Sequence, residues 1–149
     1  MFDALKYSKN IAPLIPEIQK VYSATGIAEI DELLQDIRSV AHPVLMVEDS
    51  SDGVLSLESG NYADEYNTVW FLDRVKLNDS PDRRRAQSLC FGLALKFFKK
   101  MKADGQNFGD ATYGFEPKNI TFNRVGPIGN HYYGYAFSFI IRNENFSLE

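Results

Sequence analysis

Apolar positions recur along this chain with two rhythms, one near 3.6 residues and one of 2, and the switches between them outline the fold. Leu14, Ile15, Ile18, Val21 and Tyr22 fall at helical spacing, with Pro16 suited to a first helical turn. After Gly26 the period resumes through Ile27, Ile30, Leu33, Leu34, Ile37 and Val40, with acidic and polar residues between. Pro43 bars continuation, so this second helix is predicted to stop near Ala41. Short apolar runs then predict strands at 44–47 and at Val54, Leu55 and Leu57, separated by the turn-forming cluster 49–53. A longer run of β-formers over 66–75 predicts a third strand.

The clearest helix follows. Ser80 is a candidate cap, Pro81 fits the first turn and Asp82 lies near the positive end of the helix dipole. Ala86, Leu89, Cys90, Leu93, Ala94, Phe97 and Met101 share one face, and Phe91, Leu95 and Phe98 broaden it. Gly105 marks the stop, and 106–117 reads as an irregular loop. Ile120 and Phe122 alternate in a fourth strand, and 126–130 carries a strong turn signal. The last strand sends His131, Tyr133, Tyr135, Phe137, Phe139 and Ile141 one way, and Tyr132, Gly134, Ala136, Ser138 and Ile140 the other. Gly134 and Ala136 leave room for a close approach by a helix or backbone. The predicted order is α-α-β-β-β-α-β-β: one α+β domain over 1–149, with a mainly antiparallel or mixed five-stranded sheet and one long helix packed across it.

Composition narrows the function classes. The 149 residues suit one domain, and 44% hydrophobic with 24% charged residues is globular rather than disordered. A net charge of −4 argues against a phosphate-backbone binder. Residues 1–10 lack the apolar run of a signal peptide, and no stretch reaches the length of a membrane span, so a cytoplasmic protein is expected. Cys90, the only cysteine, lies on the apolar helix face and reads as an inert thiol. His42 reads as a helix-end residue and His131 as a strand opener, and no motif sets a nucleophile beside a base. The stretch 48–53 resembles the start of a calcium loop, but Ser59 stands where a bidentate Glu is required. No nucleotide-binding glycine pattern occurs, so neither cofactor nor metal is expected.

The most unusual local feature is Arg83-Arg84-Arg85 in a helix's first turn, where positive charge opposes the dipole. It reads as a solvated helix start, as a docking patch for an acidic partner or neighbouring subunit, or, third, as a DNA contact. Trp70 and Tyr132 are the aromatic candidates for exposed contacts at the same interface.

The element order, together with Gly129-Asn130-His131-Tyr132-Tyr133-Gly134-Tyr135 as a turn opening a long aromatic final strand, resembles the tail terminator or tail-completion proteins of tailed bacteriophages. The resembling stretch runs from about residue 27 to 143. This resemblance implies a non-enzymatic structural protein of a phage or prophage, assembled in the bacterial cytoplasm into the virion. It implies a homo-oligomeric ring, typically of six subunits, that caps the tail tube and meets the head, with partners among tail-tube and head-connector proteins. Segments 49–62 and 105–117 are then the loops expected to touch neighbours. The competing expectations are a small cytoplasmic adaptor or inhibitor that binds one protein partner without catalysis, and a hydrolase or transferase built on carboxylates.

Overall fold

The computed structural model describes residues 2–36, 43–49, 52–58, 60–108, 110 and 112–144. The architecture is α+β, as the periodicities predict. In chain order it comprises α1 (Ala4–Ile11), a short 3-10 turn (Ala12–Leu14), β1 (Lys20–Ala24), α2 (Gly26–Asp36), β2 (Val44–Glu48), β3 (Asp52–Ser56), β4 (Tyr62–Arg74), α3 (Ser80–Asp104), β5 (Thr121–Ile128) and β6 (Tyr132–Glu144). The sheet is mixed and has six strands in place of the five expected, ordered β1-β2-β4-β6-β5 with β3 also paired to β4.

The extra strand comes from the N-terminal region. Val21 and Tyr22, at helical spacing in the sequence, lie in β1, which pairs in parallel with β2. The first helix is only eight residues long, capped by the Asp3 carboxylate on the Lys6 amide. Pro13 and Pro16 follow it, and each lacks the N–H that a continuing helix needs. Ile15 and Ile18 are buried all the same, as irregular chain beneath the core. Ile15, Ile18 and Val21 thus meet one core from a loop and a strand, while Leu14 is exposed and Tyr22 packs against the other core. At α2 the Glu29 carboxylate accepts from the Thr25 amide at 2.9 Å. The predicted stop near Ala41, together with His42, lies outside the described residues.

The cluster expected to turn between the second and third strands does not make a hairpin. β2 pairs with 69–72 of β4, and β3 pairs with 62–66 of the same edge in the same antiparallel sense. The two strands are therefore successive lengths along one edge of β4. β4 and β6 pair over their full lengths, from Tyr62 opposite Glu144 to Arg74 opposite Tyr132.

Each face of the sheet carries its own core. On one face α1 and α3 cover Leu45, Val47, Val69, Phe71, Phe137, Phe139 and Ile141. Phe97 of α3 sits edge-on to Tyr7, Phe71 and Phe98. On the other face Ile30 and Leu34 of α2 pack with Val44, Met46, Trp70, Leu72, Ile128, Tyr132 and Ala136. Gly134 allows the close approach anticipated for it: a Cβ there would stand 1.9 Å from the Phe71 carbonyl oxygen and 3.2 Å from Cys90 Sγ. Gly105 ends α3 for a different reason from the one expected. Its φ is −68°, so no left-handed cap forms, but a Cβ would meet the Thr112 carbonyl oxygen at 2.5 Å.

Candidate interaction surface

At one end of β4 the chain passes through residues 75–79 into α3. The cap is Asp79, one residue before the predicted Ser80: its Oδ1 accepts from the Asp82 amide at 2.8 Å. Pro81 occupies the first turn. The three arginines of that turn divide into two roles. Arg85 reaches back to the sheet, donating from Nη1 to Oδ2 of buried Asp73 at 2.8 Å and from Nε to Oδ1 of Asp82 at 2.6 Å. These bonds hold the Asp82 carboxyl below its usual range and raise the Arg85 guanidinium. Arg85 is thus a brace that ties the helix start to the end of β4.

Arg83 and Arg84 are both exposed. The Arg83 guanidinium lies 5.7 Å from the Tyr133 ring centre and donates to Ser80 Oγ at 3.3 Å. With Lys76, Leu77, Pro127 and His131 it lines an open cleft of about 390 Å³. Leu77 is 67% exposed, an apolar side chain set among cations. The charge here is local: Asp79 and Asp82 are committed to the helix start, and Arg85 neutralises Asp82.

The opposite end of β4 has the opposite character. The 13 residues of β4 span about 40 Å at roughly 3.3 Å per residue, so the β3–β4 hairpin lies far from the cleft. Among the described residues β3 pairs with β4 alone, which leaves its outer edge open. Val54, Leu55 and Leu57 are more than half exposed there, flanked by exposed Asp52 and Glu58. Asp64 is neutralised by Arg142, whose guanidinium meets both its oxygens at 2.7 and 2.9 Å while lying over the Tyr62 ring. A third exposed apolar feature is the pair Phe108 and Tyr113 in the loop after α3, edge to face at 5.2 Å.

Two of the aromatic candidates do not belong to a surface. Trp70 is 6% exposed, and its Nε1–H donates to Glu48 Oε1 at 2.8 Å. Tyr132 is 1% exposed within the same core. Both were expected as exposed contacts, whereas α2 covers this face and packs Ile30 and Leu34 into the same core. Burial raises the Tyr132 phenol and, on the other face, the Cys90 thiol, which is therefore held protonated. His131, at φ 62°, closes the turn into β6 and lines the cleft.

No protein-family model matches the chain, and no curated protein matches it. The interaction surface therefore rests on this geometry. Among the described residues no group of three or more His, Cys, Asp or Glu side chains is placed to hold a metal ion, and no helix is long and apolar enough to cross a membrane. Sequence reasoning singled out Arg83 and Arg84 but missed Lys76 and Leu77; the hairpin residues fall within segment 49–62, singled out only through the resemblance. A signal for the hairpin exists: Val54-Leu55-Ser56-Leu57 is an apolar run bounded by turn residues and acids, too short to cross a core.

Proposed function

We propose that this protein is a non-catalytic structural subunit that assembles with copies of itself into a ring, of the kind that caps the tail tube of a phage or prophage and joins it to the head. The observation that carries the reading is the open β3 edge with Val54, Leu55 and Leu57 facing solvent. An unpaired strand edge lined with apolar side chains is a template for pairing, and proteins that work alone blunt such edges with lysine, proline or a covering element. The order of elements, with long central strands and a helix laid across them, agrees with the same reading.

The second reading is a small adaptor or inhibitor that binds one protein partner. The cationic cleft with Leu77 at its rim favours it, since such a site suits an acidic segment carrying an apolar anchor.

Light scattering across a concentration series distinguishes the two. A ring-sized species, or a mass that grows with concentration, is the expected result. A strict monomer at every concentration overturns the ring in favour of the adaptor.

A further inference from the structure

We infer that the ring is built head to tail, with the acidic β3–β4 hairpin of one copy seated in the cationic cleft beside α3 of the next. This inference rests on the ring reading and names the two surfaces that would meet. The hairpin offers Asp52 and Glu58 around Val54, Leu55 and Leu57. The cleft offers Lys76 and Arg83 around Leu77 and Tyr133, with Asp79 also on its wall and exposed Arg84 next to Arg83 in the chain. Each surface is an apolar centre with a charged rim, the rims have opposite sign, and that combination is what protein interfaces use for register.

The two surfaces lie at opposite ends of β4, about 40 Å apart at roughly 3.3 Å per residue, so one copy cannot bring its hairpin to its own cleft. A reciprocal two-fold pair, each hairpin in the other's cleft, would also use both surfaces, so a solution mass of two copies overturns the inference. Contacts between unlike surfaces are heterologous and propagate until the rotation closes a ring. The cleft, at about 390 Å³, lies within the range of roughly 300–1,000 Å³ typical of sites that enclose a ligand, and it can receive side chains from a hairpin tip. Arginine on the cleft side supplies planar, bidentate recognition of the hairpin carboxylates. Arg85 takes no part, because it braces Asp73 and Asp82.

A charge-swap experiment tests the pairing. One variant carries Arg83→Glu and Arg84→Glu; the other carries Asp52→Lys and Glu58→Lys. All four positions are exposed, and circular dichroism checks that both variants fold. Each variant alone sets like charge against like charge, and its self-association is expected to weaken on the order of tenfold or more. Mixed one to one, the variants restore opposite charge at every contact in an alternating ring, so the wild-type mass is expected to return. The more conservative pair Arg83→Gln/Arg84→Gln and Asp52→Asn/Glu58→Asn is expected to weaken assembly less, and it replaces the first pair if either of those misfolds.

Assembly of both variants at wild-type strength overturns the inference and leaves the ring reading in place. So does a mixture that fails to recover, or a loss confined to the hairpin variant, which indicates hairpin-to-hairpin pairing. A wild-type protein that stays monomeric overturns the ring reading itself, and the inference with it.

Discussion

The two halves of the central strand pair are built from the same backbone and differ in how many faces are covered. Toward the cleft, Val69-Trp70-Phe71-Leu72 of β4 is a solid apolar run, buried on both faces. Toward the hairpin, the face that α2 covers elsewhere carries Tyr62, Asp64, Tyr66 and Thr68 on β4 and Ser138, Ile140 and Arg142 on β6. There the polar groups satisfy one another: Thr68 and Ser138 hydroxyls meet at 3.0 Å, and Arg142 clasps Asp64. Helix placement accounts for the difference. α3 has 25 residues and runs about 37 Å at 1.5 Å per residue, matching the strands, while Ile30 and Leu34 of α2 pack with Val44, Met46, Trp70, Leu72, Tyr132 and Ala136, at the cleft end. A strand covered on both sides reads as continuous hydrophobicity, and one covered on a single side alternates. The uncovered half is also the half that projects the hairpin.

This contrast can be broken at its strongest point first. Phe97 packs under the covered half against three aromatic rings. Phe97→Ala is expected to cost about 3–5 kcal/mol in chemical denaturation, the usual range for a fully buried ring. A loss well under about 1 kcal/mol would show that the helix face is not the one that carries the core. Trp70→Phe probes the second face of the same half. Losing the bond to Glu48 is expected to cost about 2 kcal/mol, as for hydrogen bonds to charged groups. Little change would mean that α2 does not seal that face.

The uncovered half should respond weakly. Arg142→Ala is expected to have the smallest effect of these in chemical denaturation, because its pair with Asp64 lies at the surface. Acid titration sharpens this. The Arg142 hydrogen bond holds the Asp64 carboxyl below its usual value, so its contribution is complete above the unfolded value of about 4 and is lost as pH falls through the lower folded value. Asp82, held down by Arg85, and Asp110, held down by Thr112, behave in the same sense. Melting temperature measured from pH 5 downward should therefore fall, and more shallowly in Arg142→Ala. Identical slopes would remove Asp64 from the acid response.

How much of this was legible beforehand differs by region. For α3, the proline, the main apolar face and the terminus agreed; the capping residue shifted by one, from Ser80 to Asp79, and Leu95, expected to broaden the face, is 47% exposed. The N-terminal region misled because Ile15, Ile18 and Val21 meet one core while belonging to a loop and a strand. Trp70 and Tyr132 misled because nothing along the chain states which face α2 will cover. The arginine run was visible as an anomaly, but its division into the brace Arg85 and the outward Arg83 and Arg84 depends on Asp73 arriving from another strand.

By itself the sequence determined the fold class, the long helix, the aromatic final strand and the inert setting of Cys90, because periodicity and turn chemistry act over a few residues. Tertiary structure alone decided the sixth strand, the pairing of β2 and β3 along one edge of β4, the burial of Trp70 and the separation of a cationic cleft from an acidic hairpin. Those depend on which distant segments meet, and the free energy of such meetings lies in shared burial that no local pattern encodes.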